Sequence, residues 1–255
     1  MESLENLYMS KNILINTKDV LLHENCIYKD NCWNNKSIEK RGKIWNRISF
    51  PYIGEGYDGD LMCIGLNLHN CGGKTALNEL INGNDKHIGV KNYLKKGIKK
   101  INFNDKKYPG TLLFHRVAVY SNIILNNCIC PNDNFKLVDI YKKIVFLEAI
   151  KCSPEGNKSQ PEPNMYNYCP NKILLNEINI FKPKKILIFG RVSDIFKNKY
   201  RINDTLIYSK NRDIELFEIS IENKLIDIIK IIHPTARGGN KIQLYKELLN
   251  VINNK

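Results

Sequence analysis

Three stretches of the chain carry side chains whose types and spacing suit catalysis or metal binding. The first is Gly65-Leu66-Asn67-Leu68-His69-Asn70, which follows an apolar run from Asp60. An Asn carboxamide oxygen can hold a water molecule against a substrate without being a strong base. Asn67 is therefore a candidate for positioning a nucleophilic water, with His69 or Asn70 assisting. The plain alternative is that Asn67 only caps the following turn. The second stretch is His233-Pro-Thr235-Ala-Arg237-Gly-Gly239. Its imidazole can donate to negative charge growing on a leaving group, and an arginine followed by two glycines suits close approach to a phosphate backbone. The third runs from Glu148 through Lys151-Cys152-Ser-Pro to Cys169-Pro170, where two thiols bracket a loop and a carboxyl precedes them.

The chain holds eight cysteines. With no secretory signal in sight, a disulfide framework is not expected, so metal binding or simple burial must account for them. Cys63 lies inside an apolar run and reads as core. Cys71 sits near the first stretch. Cys128-Ile-Cys130 has a spacing usable for metal, but the pair reads as incidental. Gly73-Lys74-Thr75 ahead of a helical pattern invites comparison with a phosphate-binding loop. That motif needs a glycine where this chain has Leu68, and nucleotide triphosphate hydrolysis stands as a minor reading.

The elements that must position these residues alternate in type. Asp60–Gly65 reads as a first strand, Thr75–Ile81 and Phe114–Leu125 as helices and Tyr141–Ile150 as a second strand. Ile173–Ile180 reads as a helix and Lys185–Phe189 as a third strand. After a variable segment, Leu225–Ile232 reads as a fourth strand and Ile242–Ile252 as a closing helix. Strands alternating with helices imply a mostly parallel sheet covered on both faces. In such sheets ligands bind beyond the carboxyl ends of the strands, which is where Gly65–Asn70, Glu148–Cys152, Gly190-Arg191 and His233–Gly239 fall.

Taken together, Gly65-Leu66-Asn67, Lys151-Cys152-Ser-Pro, Cys169-Pro170, Lys182-Pro183 before a strand, and His233-Pro-Thr resemble the uracil-DNA glycosylase superfamily. The similarity is nearest to its iron–sulfur (family 4-like) members, but with an Asn-type first motif. The resemblance spans about Cys26 to Gly239 and is firmest from Phe146 to Gly190. It implies a three-layer α/β/α sandwich with a short, mostly parallel central sheet, formed as a single domain over residues 1–255. An N-terminal segment, 1–58, would contribute cluster cysteines. It also implies monofunctional hydrolysis of the N-glycosidic bond to uracil or another deaminated or modified base, as in base excision repair. Asn67 would hold the water and His233 would steady the departing base. Gly65, Leu66, Glu148 and Phe114 would meet the base, with Tyr52 and Tyr57 as further aromatic candidates. Thr235 and Arg237 would meet the DNA.

By the same resemblance, Cys26, Cys32, Cys152 and Cys169 would ligate a [4Fe–4S] cluster, with structural zinc or no metal as alternatives. The first pair departs from the family, with five intervening residues where two are usual. A second departure is Glu148, which stands where the family has an Asn that reads the uracil edge. An ionised Glu offers acceptors only and would favour a cytosine amino group, whereas a Glu kept neutral by burial could imitate Asn. No lysine stands in the motifs as a Schiff-base nucleophile, although Lys74 and Lys151 lie nearby.

Composition sets the outer bounds. The 255 residues, 43% of them hydrophobic, can bury a proper core. A formal net charge of +13 makes nucleic acid the leading partner class. No apolar run is long enough to span a membrane and the first residues are acidic, so a soluble cytoplasmic protein is expected; a monomer is expected as well. The rival from another class is a catalytically inactive nucleic-acid-binding protein that keeps the glycosylase fold, with Leu66 and Glu148 as signs of decay.

Overall fold

The computed structural model describes residues 2–11, 26–28, 31–32, 51–66, 109–129, 136–151, 161–200, 202–208, 213–233 and 241–254. The chain divides into two compact units. Unit 1 comprises Met1–Pro51, Gly65–Leu77 and Leu147–Lys182; unit 2 comprises Tyr52–Ile64, Asn78–Phe146 and Pro183–Lys255. The expected helix at Thr75–Ile81 lies outside the described residues. Among those described, no helix is long and apolar enough to cross a membrane.

The protein is α/β. Its sheet contains β1 (Tyr52–Ile53), β2 (Leu61–Gly65), β3 (Ile144–Glu148), β4 (Lys185–Phe189), β5 (Ile202–Tyr208), β6 (Ile214–Ile221) and β7 (Lys224–Ile231), in the order β1-β3-β2-β4-β7-β6-β5. β2 is buried along its whole length and β4 after its first residue, as strands covered on both faces must be. β2 runs parallel to β4, with Met62 opposite Ile186, and β4 runs parallel to β7, with Leu187 opposite Ile229.

The sheet is mixed, not mostly parallel. β1 lies antiparallel to β3, and β5 and β6, from the variable segment ahead of the expected fourth strand, form an antiparallel meander with that strand, β7. The connection explains the direction. Ile221 pairs with Lys224, leaving only Glu222 and Asn223 between the strands, and two residues can join antiparallel strands alone. Both have positive φ, 48° and 63°, as a type I′ hairpin turn requires. This architecture of helices and a mixed sheet is compatible with three layers.

In unit 2, α2 (Pro109–Asn126) starts with a proline at its first position and is buried continuously from Phe114 to Ile124. Asn127, at φ 52°, ends it by donating its N–H to the Ile123 carbonyl at 2.9 Å. The expected second strand began at Tyr141, but that residue closes the short helix α3 (Leu137–Tyr141), and its hydroxyl donates to the Phe114 carbonyl at 2.7 Å. Unit 2 is completed by α6 (Val192–Lys199) and α7 (Lys241–Asn253), the latter packing on α2 through Tyr245 against Tyr120, with ring centroids 5.4 Å apart.

Unit 1 contains α1 (Glu2–Ser10), α4 (Pro163–Cys169) and α5 (Leu175–Phe181). Cys169, ahead of the helix expected at Ile173–Ile180, itself closes a helix, α4. Pro170 follows without a backbone N–H, and the ladder widens there into a π turn, Pro170–Leu174, in which the Leu175 N–H reaches the Pro170 carbonyl. The helix then continues to Lys182, whose φ of 48° and bond to the Ile178 carbonyl stop it ahead of Pro183.

Glutamate is a poor choice for the left-handed conformation at Glu222. Glu222→Gly is expected to stabilise the protein by about 0.5–1 kcal/mol in urea denaturation, with no change in the denaturant slope.

Candidate functional site

The end of β2 is fastened to the chain leaving β3. The Ala149 N–H donates to the Gly65 carbonyl at 2.8 Å, and the Ile150 N–H donates to the Leu66 carbonyl at 2.9 Å. The Glu148 carboxyl is thereby set over Gly65. A Cβ on Gly65 would stand 2.8 Å from Glu148 Cδ and 2.9 Å from Oε1, so a larger residue there would push the carboxyl aside. Glu148 faces the first motif and is 2% exposed, with no hydrogen-bond partner for Oε2 among the described residues. Burial pushes its carboxyl up to about 8, against the pull of the Lys151 ammonium. At neutral pH the group is a carboxylic acid, with one donor and spare acceptor capacity. Leu66, half-buried, is the last described residue of this segment; Asn67, His69, Asn70, Cys71 and Lys74 lie outside the described residues.

Three residues beyond Glu148 the chain delivers a buried charge. Lys151 Nζ lies 2.6 Å from Glu177 Oε2, with both side chains almost wholly inaccessible, and the Tyr8 hydroxyl donates to Glu177 Oε1. Burial, then the Glu177 charge, raises the Tyr8 phenol well above its ordinary range and keeps it a donor. One carboxylate on α5 thus ties α1 to the loop after β3. The Lys151 ammonium is committed to this pair, which leaves it ill-suited as a Schiff-base nucleophile.

Lys151 also reaches the cysteines. A hydrogen bond from the Cys32 thiol holds the Cys169 thiol below its ordinary value against burial, aided by the backbone N–H and the charge of Lys151. Cys26, Cys32 and Cys169 are all buried. The segment that carries the first pair is held to α4: Tyr28 packs on Tyr168 with centroids 6.0 Å apart, Asn31 Nδ2 donates to the Tyr168 hydroxyl at 2.9 Å, and Asn164 Nδ2 donates to the Asn31 carbonyl at 3.0 Å. Two of the four expected ligands, far apart in sequence, are therefore adjacent. Among the described residues no group of three potential ligands is close enough to hold a metal ion, and Cys152 lies outside them. The donor chemistry of the pair fits a thiolate-bound metal, iron–sulfur or zinc: soft ligands, one of them held below its ordinary value, with a cation nearby.

The second motif begins in unit 2. His233 stands two residues beyond β7, and Gly190, just past β4, has φ 56° and lies close beneath it, its Cβ position 3.5 Å from His233 Cβ. His233 is exposed at its surface. Partial burial, followed by the Arg116 guanidinium, nevertheless holds its imidazole below the ordinary value and so neutral at pH 7. Arg116 itself is buried on α2, beside a fully buried His115 that burial and the same guanidinium lower to about 4. Thr235 and Arg237 lie outside the described residues.

Phe114, expected at a base, is 5% exposed and packs in the core with Tyr141 and Phe146, at centroid distances of 6.4 and 6.2 Å. Tyr52 is buried edge-on to Tyr141, whereas Tyr57 is half-buried. Cys63 is core as expected: its Sγ lies 3.3 Å from Ser121 Oγ and burial pushes its thiol up to about 12. Cys128 is half-buried, near Asn122 Nδ2, and Cys130 lies outside the described residues.

Neither the models of known protein families nor the curated proteins contain a match to this sequence.

Sequence reasoning missed Tyr8, Glu177 and Arg116. A signal for Glu177 existed, a lone acid among Ile173, Leu174 and Ile178 on a helix that is otherwise apolar on that side. Removing one member of its pair leaves a buried charge uncompensated. Lys151→Met is expected to cost about 3–5 kcal/mol in urea denaturation, and the double change Lys151→Met, Glu177→Leu to recover most of that loss.

Glu148 has the opposite sign from a salt-bridged acid. The folded protein keeps its proton up to about pH 8, whereas the unfolded chain loses it near 4.5. Its contribution to stability is full below 4.5, declines by up to about 1.4 kcal/mol per pH unit above that, and is gone past the folded value. Glu148→Gln should flatten this slope and raise stability at pH 8, as measured by denaturation midpoints across the range.

Proposed function

We propose that the protein is a DNA glycosylase of the uracil-DNA glycosylase type, hydrolysing the N-glycosidic bond of a deaminated or otherwise modified base in DNA. The observation that carries this reading is the meeting of Cys32 with Cys169, which the resemblance requires and which nothing else in the sequence would predict. A neutral His233 next to Gly190 and a buried carboxyl over Gly65 add to it.

In this reading Asn67 orients the water that attacks the anomeric carbon. Neutral His233 donates an N–H to the oxygen of the leaving base as negative charge builds there. Glu148 meets the edge of the base, and Arg237 with the surplus of basic residues holds the phosphate backbone. Cys26, Cys32, Cys152 and Cys169 would hold an iron–sulfur cluster, which would staple loop segments near DNA without redox chemistry. The Lys151 charge beside Cys169 would offset part of the thiolates' negative charge. The protein would act as a monomer in the cytoplasm.

The test is base release from oligonucleotides carrying uracil, hypoxanthine or xanthine, single- and double-stranded, with anaerobically purified protein. Alkali-labile abasic sites are expected, with Asn67→Ala and His233→Ala each slowing release by about 100-fold or more. Cys32→Ser and Cys169→Ser are expected to lose iron, measured by metal content and visible absorption. Tight DNA binding with no release from any substrate would replace this reading with that of an inactive binding protein.

A further inference from the structure

We propose that Arg116 and Tyr120, with His233 at the rim, form an anion site in unit 2 that takes a phosphate dianion, either free inorganic phosphate or a phosphate monoester. The site does not depend on the glycosylase reading, although it borders the same histidine.

Arg116 and Tyr120 stand one turn apart on α2 and therefore share a side of that helix. Both are buried, at 7% and 0% exposure. Arg116 Nε and the Tyr120 hydroxyl each lack a hydrogen-bond partner among the described residues. The Tyr120 ring shows where this side of the helix points. It packs on Phe189, the last residue of β4, with centroids 6.3 Å apart, and edge-on to Tyr245 of α7. Gly190 follows Phe189 and lies beneath His233. The two donors are thereby set toward the carboxyl ends of β4 and β7, the end at which α/β sheets bind ligands.

A guanidinium differs from the other bases here because it cannot shed its proton. His115 and His233 are held neutral, first by burial and then by the Arg116 charge. Arg116 has no such escape, and a cation taken out of water needs a negative partner. The described groups around it do not supply one. Its own helix brings His115 and Tyr120, the strand ends bring His233, and α7 brings the Tyr245 phenol. Asp213, just ahead of β6, reaches the Tyr120 hydroxyl with its charge, but no ion pair joins it to Arg116 among the described residues. Burial keeps the Tyr120 phenol protonated, and so a donor.

An anion from outside meets both demands, charge and hydrogen bonding. The donors are a planar guanidinium, a hydroxyl and a neutral imidazole. Tetrahedral phosphate oxygens can accept from all three at once, whereas a carboxylate has two oxygens in one plane. Burial limits the size of the ligand. A buried hydroxyl suits a free phosphate or a terminal phosphate group, not a diester in mid-strand.

The test follows thermal denaturation of the full-length protein, dialysed free of phosphate, as inorganic phosphate is added. Sodium chloride at matched ionic strength is the control, and calorimetry gives the affinity. A saturable rise in midpoint that chloride does not reproduce is expected. Arg116→Met should weaken phosphate binding by at least about 30-fold, and Tyr120→Phe by about 10-fold. Without phosphate, Arg116→Met should melt no lower than wild type, because an apolar side chain replaces an unpaired charge. A last arm compares a short oligonucleotide with and without a 5′-phosphate. A preference for the phosphorylated strand that Arg116→Met removes would assign the site to a nucleic-acid end; equal binding of the two strands would assign it to free phosphate.

Phosphate no more effective than chloride, or phosphate binding retained in Arg116→Met, would overturn the proposal. So would a lower midpoint for Arg116→Met without phosphate, since the guanidinium would then be paired within the protein. Base excision without a phosphate effect would remove this site and leave the glycosylase reading in place. Arg116-dependent phosphate binding without excision would keep the site and remove the enzyme.

Discussion

The buried ion pair between Lys151 and Glu177, capped by the Tyr8 hydroxyl, is the interaction on which the rest of unit 1 depends. Two charges taken from water need each other, and neither can move without exposing the other to an apolar interior. That demand fixes the loop after β3 relative to α5 and draws the first helix, α1, onto the same carboxylate. The Lys151 backbone N–H then has a set position, from which it donates to Cys169. An ion pair of this kind adds little net stability compared with a well-packed apolar pair. Its contribution is geometric: residues from three separated stretches of chain are held in one arrangement.

Much of the fold was legible because periodicity and turn chemistry agreed. The boundaries of β4 were readable from Lys182-Pro183 and the glycine at 190, and α2 and α7 from their apolar spacing. The meander was not. β6 is buried at six of its eight positions, so it lacks clean alternation, and its turn uses Glu-Asn where Asn-Gly or Asp-Gly would have announced a hairpin. The strand expected to begin at Tyr141 was too long because an apolar run does not reveal that its first residues close a helix. The single helix expected at Ile173–Ile180 began earlier, since a proline after Cys169 widened the helix into a π turn without ending it.

The site was legible by type more than by environment. Cys32 and Cys169 were readable as partners from family resemblance, and no spacing rule would have joined residues so far apart in sequence. Gly65 was readable as a strand end, but the Glu148 carboxyl packed against it is a tertiary fact. Phe114 shows the converse. An aromatic near motifs invites a stacking role, yet burial against Tyr141 and Phe146 is equally consistent with its spacing, and sequence cannot distinguish the two. Arg116 went unnoticed because a single basic residue in an apolar helix looks like a surface position until the helix proves to be buried all round.

Among the described residues, the state of Glu148 follows from how the Lys151 ammonium is shared. Lys151 stands three residues from Glu148 and within 2.6 Å of Glu177, and a single ammonium cannot fully compensate two buried carboxylates. It sits against the one that also receives the Tyr8 hydroxyl, where the negative charge is stabilised twice. Glu148, with Lys151 engaged elsewhere and no partner for one oxygen among the described residues, lowers its free energy by keeping its proton instead. The ion pair that orders unit 1 thus also sets the protonation of the residue over Gly65. The same buried network that withholds a counter-charge thereby leaves a neutral donor and acceptor over Gly65.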